Sequence, residues 1–474
     1  MLQCRTYLDI KIVLKVELSS LCTDSRTVKE GDIFVAIHCD NVMQHISEAI
    51  RKNCKLVFTQ EYCGNWINND RIVFVSDTRL LASELASFYY PKQPKINIAI
   101  TGTNGKSSVA HFVSQIWNLC NIKSANLGTL GLFINNKKSN PNGINIPNLT
   151  TPDPVNLHKL LNYLFENNID NFVFEASSAA LDQKRLHSVT LETACFTNFA
   201  SDHLDYHKSH NDYLNSKVLL FKDILKQNKT AVVFGDDNFL YNTVKNAHNN
   251  IITFGFNDKN NVRAANISSD INSINFDLII DNKEFKNIKL NLTGEFQLLN
   301  VLCAIALVSI TGVDMEKIIN IIDKIKPLQG HMERVSKNIF IDYAHTSEGF
   351  RTALSSLRKY CKGNLICVFG CGGNRDKTKR REFGSIASDL ANISIITDDN
   401  PRNEDPSLIR NEIKRTCCNA IEIPEREEAI RKAILLKKEN DIVAIIGKGH
   451  ETEQIYSNTT RYFNDKEVVL KYIK

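Results

Sequence analysis

The stretch ITGTNGKSSVAHF, residues 100–112, constrains this chain more than any other. A β-rich run, INIAI, enters it and a helical pattern, SVAHFVSQIWNLC, leaves it, so Gly102, Asn104, Gly105, Lys106 and Ser107 occupy a strand-to-helix turn. Glycines there let backbone N–H groups approach phosphate oxygens, and the start of the helix adds favourable dipole charge. Lys106 can reach the outer phosphates and Ser107 or Ser108 can hold Mg²⁺, so the expected ligand is a nucleoside triphosphate. The pattern G-x-x-x-x-G-K-[ST] would put a further Gly where Ile100 stands, which makes the motif partial. The alternative is a glycine-rich turn without a ligand; the GKSS ending and the flanking elements favour the phosphate site.

Such a turn belongs to a parallel sheet flanked by helices. From residue 96 onward, short β-like runs (INIAI, NFVFEA, TACFTNF, TAVVFG) alternate with longer helical patterns as far as residue 328. Pro91 and Pro94 mark a polar break before the first of these runs. The segment QGHMERVSK opens a second alternating set: NIFIDYA, LICVFGC, NISIITD and IVAIIGKG. The expected fold is α/β in three domains: residues 1–95, a central nucleotide-binding sheet domain over 96–328, and a third domain over 329–474. A length of 474 residues, about three typical domains, accommodates them. Residues 135–148, rich in Asn and Pro, read as a mobile loop. Residues 302–313 are the longest apolar stretch, too short to span a membrane, and read as a buried helix.

Composition excludes several classes. Hydrophobic and charged fractions of 43% and 23% are those of a soluble globule. The net charge of +5 is spread along the chain, so nucleic acid is not an expected partner. Thirteen cysteines are scattered without zinc-type spacing, and the adjacent Cys417 and Cys418 imply neither a disulfide framework nor a metal knuckle. Asp9, Lys11 and Lys15 interrupt the apolar run at the amino terminus, which therefore lacks the core of a signal peptide. Reduced thiols in the cytoplasm are the expectation.

TGTNGKSS is also the form this loop takes in the Mur ligases, and further blocks resemble that family in order along the chain. They are DSRTVKEGDIFVAI, LTTPDP, FEASSAAL, FTNFASDHLDYH, YLNSKVLLF, GHMERV, IDYAHTSEGF, VFGCGGNRDKTKR, TDDNPRNEDP and GKGHETEQ. The resemblance implies a uridine-binding first domain, a P-loop ATPase-like central domain and a Rossmann-like third domain. It implies an ATP-dependent ligase of peptidoglycan synthesis, closest to the branch that adds a third residue to UDP-N-acetylmuramoyl-dipeptide. Such a ligase passes the γ-phosphate of ATP to a carboxylate, and an amine attacks the resulting acyl phosphate. Two anions must meet, so Mg²⁺ and cations matter more than a nucleophilic side chain. The implied partners are small molecules, ATP, the UDP-linked dipeptide and meso-2,6-diaminopimelate, handled by a monomer with no membrane span.

Residue by residue, the resemblance assigns ATP to Gly102, Thr103, Asn104, Gly105, Lys106, Ser107 and Ser108. Arg334, Asp342 and His345 approach from the third domain, with Asp342 suited to ribose hydroxyls. Glu175 and His203 join Ser107 around Mg²⁺. Lys217 becomes a carbamate (N6-carboxylysine) that binds a second ion, and with Lys106, Glu175 and His203 it makes up the implied catalytic set. By themselves, Glu175 reads as a helix-capping carboxylate, His203 as a structural imidazole and Lys217 as a surface lysine. Ser25, Thr150, Thr151, Ser177, Gln183 and Arg185 are the implied UDP-sugar contacts, Arg185 suiting pyrophosphate.

Asp399, Asn400, Pro401 and Arg402 form the DNPR block that accompanies meso-diaminopimelate in the resembling ligases. Arg402 can pair with the second carboxylate that lysine lacks. Arg375, Gly447 and Glu451 complete the implied pocket, although Asn-Pro alone would read as the start of a type I turn. Five features depart from the family pattern: Ala179 for His, Ser107 and Ser108 for two Thr, His331 for Arg, Asn374 for Asp, and a shorter loop after Ile37. Competing readings are the same ligase chemistry with lysine or another acceptor, folate with glutamate being a more distant case, and a nucleotide-binding relative that does not ligate. The last predicts decay at Lys106, Glu175, His203 or Lys217, and all four are present.

Overall fold

The computed structural model describes residues 20–61, 69–146, 149–202 and 206–473. Its centre is the strand Ile96–Thr101, which pairs in parallel with Thr193–Phe196 on one side and Asn171–Glu175 on the other, inside an 11-stranded sheet. Side chains of a strand alternate between faces. Ile98 and Ile100 enter one apolar layer and Ala99 the opposite one, so the strand is buried on both sides. The helices Lys106–Leu119 and Glu295–Ile310 build the first layer. The second contains the apolar stretch expected to be a buried helix, and residues 302–308 there are 0% exposed. The helix Pro154–Glu166 covers the other face, with Asp153 accepting from the N–H groups of Val155 and Asn156 and Pro154 at its first position.

Both edges of this sheet turn antiparallel. Val262–Ser269, Ile274–Ile280 and Lys283–Leu290 form one extension, and Gly131–Ile134 with Lys137–Ser139 the other. The latter corrects the expectation of a loop over 135–148 in its first part, where Lys137–Ser139 is a strand; residues 147 and 148 lie outside the described residues. Asn135 and Asn136, at φ +49° and +61°, make a tight turn between paired strands. Asn adopts left-handed backbone readily, so a polar pair that looks like loop material closes a hairpin.

Four parallel strands, Leu21–Cys22, Ile33–Val35, Leu56–Thr59 and Ile72–Phe74, form the first sheet. Asp77 caps the helix Thr78–Tyr89 beside it and also pairs with Lys184 at 2.5 Å, which ties this sheet to the central one. The last sheet has six strands. Ile442–Ile446 lies between Ile339–Asp342 and Leu365–Phe369, followed outward by Ile393–Ile396 and Ile421–Glu422, these five parallel, while Glu333–Ser336 pairs antiparallel with Ile339–Asp342 at the other edge. The loops after Asp342, Phe369 and Ile446 therefore emerge side by side at the carboxyl ends of the strands, where open α/β sheets bind ligands. Among the described residues, no helix is long and apolar enough to cross a membrane.

One buried ion pair closes the far side of this sheet. Arg426 Nε and Nη2 donate to the two oxygens of Asp465 at 2.7 and 2.9 Å, and both side chains are 0% exposed. Truncating one partner leaves an uncompensated buried charge, so Arg426→Ala is expected to cost about 3–5 kcal/mol. Urea unfolding followed by circular dichroism checks this; a loss below about 1 kcal/mol would place the pair in the surface class.

Candidate active site

The phosphate loop is shaped by close approach. A Cβ on Gly102, at φ +146°, would lie 1.9 Å from Thr197 Oγ1, and one on Gly105, at φ +83°, would lie 2.7 Å from Asn300 Oδ1. Only glycine fits either place. Asn198 fastens the loop, its Oδ1 accepting from Asn104 N at 2.8 Å and its Nδ2 donating to Asn104 O at 3.0 Å. Lys106 Nζ donates to the carbonyls of Gly102 and Thr103 at 2.9 and 2.8 Å. Lys217 Nζ donates to the same Gly102 carbonyl at 2.7 Å.

Lys217 is thus not a surface lysine. It is 1% exposed on the helix His210–Leu219, with its Nζ 4.4 Å from the Tyr213 ring centre. Burial, and next the charge of Lys106, push its pKa well below the ordinary lysine value, against the pull of Asp202. Burial also lowers Lys106, which Glu175 and Asp202 partly offset. The amphipathic pattern of a helix cannot report such a site, because the acceptor lies across the loop.

Glu175 ends its strand 2% exposed, and its Oε1 accepts from Ser107 Oγ at 2.7 Å and from Thr129 N at 3.0 Å. Burial raises its pKa, opposed by Lys106 and by these hydrogen bonds. Gly128 makes the room: a Cβ there would sit 1.8 Å from Oε1. Ser107 and Glu175 are therefore a pair of hard oxygen donors able to hold a divalent cation. His203 lies outside the described residues.

Across a cleft of about 650 Å³ stand residues of the last sheet. Asp342 accepts from Met332 N at 2.6 Å and Ala344 N at 2.7 Å, and burial raises its carboxyl to about 6 against those bonds. His345 Nε2 lies 3.9 Å from Asp202 Oδ2, and Lys379 Nζ lies 2.8 Å from Asp202 Oδ1. Thr346 Oγ1 donates to Asn104 Oδ1 at 3.1 Å, so the two sheets already touch over the loop. Asp202, Asn198, Thr129 and Lys379 were not among the expected site residues. Asp202 and Asn198 stand in the quoted block FTNFASDHLDYH, where polar residues directly after an apolar strand run were the available signal. Arg334 corrects an expectation: it is exposed on the edge strand Glu333–Ser336, donates to Ser336 O and Asn272 Oδ1, and does not line the cleft. Alternation along the strand turns it aside.

The implied sugar residues fall into two places. Thr151 Oγ1 donates to Glu175 O at 2.7 Å and accepts from Ser177 N at 3.1 Å. Arg185 donates to Thr151 O at 2.6 Å and, at 2.6 and 3.0 Å, to Gln183 Oε1. Thr150 Oγ1 lies 3.2 Å from Thr129 Oγ1, which joins this network to the carboxylate site. Ser25 is elsewhere, 2% exposed in the turn that follows the strand Leu21–Cys22, donating to Glu48 at 2.6 Å.

Arg375, Asp399, Asn400, Arg402, Gly447 and Glu451 all line the far end of the cleft. Arg402, at φ +53°, donates from Nη1 to Gly373 O at 2.9 Å, and a Cβ on Gly372 would crowd that atom at 2.8 Å. Pro401 does not line the cleft; its carbonyl accepts from Glu404 N at 3.1 Å. Asn374 Oδ1 accepts from Asn403 N at 3.0 Å and thereby joins the two arginine-bearing loops. The arrangement can hold a triphosphate at one end and a zwitterion at the other.

Known proteins agree with this layout. Residues 100–308 match the Mur ligase middle domain and residues 330–449 the Mur ligase glutamate ligase domain. The chain is 40% identical over 465 residues to UDP-N-acetylmuramoyl-L-alanyl-D-glutamate--2,6-diaminopimelate ligase of Rickettsia bellii (strain RML369-C), covering 96% of this chain and 95% of that protein. It is 35% identical over 475 residues to the ligase of the same name from Clostridium botulinum, with 97% and 96% covered. A solved structure of an enzyme of that name superposes at TM-score 0.69 with 28% identity, over 96% of this chain and 94% of the other. A MurF ligase from Thermotoga maritima in complex with ADP, at TM-score 0.63 and 19% identity over 96% of each chain, shares the fold.

Gly128→Ala should displace the Glu175 carboxylate without touching Lys106. Titration calorimetry is expected to show that Mg²⁺ no longer strengthens ATP binding, while the melting curve stays cooperative. Unaltered Mg²⁺ dependence would remove Glu175 from the cation site.

Proposed function

The chain belongs to the Mur ligase family, and from that premise we propose that it catalyses the ATP-dependent addition of meso-2,6-diaminopimelate to UDP-N-acetylmuramoyl-L-alanyl-D-glutamate. The observation that carries this reading is one cleft lined both by the phosphate loop and by Arg402 and Glu451. Diaminopimelate has a second carboxylate and a second ammonium at its far end, and a guanidinium with a carboxylate is the matching pair. Lysine has no second carboxylate, so Arg402 distinguishes the two.

Lys106 and the N–H groups of residues 102–108 hold the ATP phosphates, and Asp342 accepts from the ribose. The network of Thr150, Thr151, Ser177, Gln183 and Arg185 carries the UDP-linked substrate, with Ser25 at its uridine end. Ser107 and Glu175, beside a phosphate site, suit Mg²⁺, which commonly keeps waters and phosphate oxygens as its remaining ligands; His203 joins them by its place in the family pattern. Mg²⁺ bound there neutralises phosphate charge, so that the dipeptide carboxylate can approach. The γ-phosphate passes to that carboxylate, and the amine of diaminopimelate then attacks the acyl phosphate and expels phosphate. Asp202, paired with Lys379 and near His345, keeps the two halves of the cleft together and water out.

Burial, and next the charge of Lys106, lower the pKa of Lys217 and so favour the amine form, whose lone pair can attack CO₂. Loss of one proton then gives a carbamate, an anion beside Lys106 in place of a second cation. We place the reaction in the cytoplasm and assign it to a monomer.

ADP is expected only when UDP-N-acetylmuramoyl-L-alanyl-D-glutamate, meso-diaminopimelate and Mg²⁺ are all present; equal turnover with lysine would sink the specificity. Lys217→Ala should lose activity by about a hundredfold or more and regain part of it with added short carboxylates. Full activity without them would reject the carbamate.

A further inference from the structure

Lys448 follows Gly447 at the end of the strand Ile442–Ile446, and its side chain is 0% exposed. A buried ammonium is costly unless each N–H finds an acceptor. Here three acceptors meet the three protons: Glu451 Oε2 at 2.7 Å, Glu453 O at 2.8 Å and Asn400 Oδ1 at 3.1 Å. Lys448 does not line the cleft, whereas Asn400, Arg402 and Glu451 do.

The three acceptors lead to the two ends of the pocket. Glu451 Oε2 receives a second bond, from Asn400 Nδ2 at 2.8 Å. Among the described residues Oε1 receives none, which leaves it for a ligand ammonium. Asn400 Oδ1 also accepts from Ile455 N at 3.0 Å, and Arg402 N donates to Ile455 O at 3.0 Å. Ile455 belongs to the strand Glu453–Tyr456, whose first carbonyl is the third acceptor of Lys448. A single buried cation thus spans the carboxylate of one loop and the backbone that carries the guanidinium of another.

We propose that Lys448 is a positioning residue that sets the separation of Glu451 from Arg402, and with it the choice of acceptor stereoisomer; this rests on the ligase reading above. Lys448 acts through its neighbours and touches no substrate.

Lys448→Met keeps the length of the side chain and removes the donors. The KM for meso-diaminopimelate should rise about tenfold or more, while kcat and the KM for ATP change less than about threefold. The preference for the meso over the LL isomer in kcat/KM should collapse toward unity. Combined with Glu451→Gln, the two effects should be non-additive, since they break one unit. A lower melting temperature with KM and isomer preference unchanged, or full additivity, overturns the proposal. If Lys448→Met gives no cooperative melting, Lys448→Gln, which keeps an N–H donor but shortens its reach to Glu451, is measured in its place: the same split sustains the proposal and an unchanged KM overturns it. Wild-type protein that needs no diaminopimelate for ADP release would defeat the ligase reading itself, before any variant is compared.

Discussion

Two lysines share one carbonyl. Lys106 and Lys217 both donate to Gly102 O, in a place from which water is largely excluded, and Glu175 and Asp202 supply the nearby negative charge. Like charges buried together are tolerated only if one is neutral or if an anion is due. Lys217 is driven toward the neutral amine, and the loop around it has the form that receives phosphate. The rest of the central sheet serves this spot: Ile98 and Ile100 anchor the strand, Gly102 and Gly105 permit the approach, and Asn198 fixes the loop.

Much of the fold was legible because buried parallel strands leave apolar runs with sharp polar ends. The four runs of the central sheet and the four of the last one are strands. The phosphate loop was legible for a similar reason, since glycine, lysine and serine at a strand-to-helix turn have a local explanation. What escaped depends on distance in space. Nothing within YLNSKVLLF says that Lys217 is buried, because its acceptor is a loop carbonyl more than a hundred positions earlier. Asp202 and Lys379 are each ordinary in sequence and meet only when two sheets are brought together. Arg334 shows the converse: a position matched to a family pattern does not give the direction of its side chain. The hairpin at Asn135 and Asn136 escaped because polarity and left-handed backbone share the same residue type.

The two ends of the cleft are built differently. Glu175 and Asp342 sit at strand ends, where neighbouring strands hold them. Arg402 and Glu451 sit on loops, and their precision comes from side-chain hydrogen bonds made by Asn374, Asn400 and Lys448. In the proposed function, reaction chemistry rests on the sheet, while acceptor recognition rests on a small hydrogen-bonded web on the loops.

The strand Ile442–Ile446 lies between two strands that precede it by some seventy residues or more. During synthesis, the neighbours Ile339–Asp342 and Leu365–Phe369 therefore leave the ribosome with a gap between them that no earlier segment fills. The last sheet closes only once that strand has been made, and the same strand delivers Gly447 to the cleft and Lys448 to the buried place behind it. A chain stalled before that strand thus carries the whole phosphate loop but lacks Gly447 and Lys448.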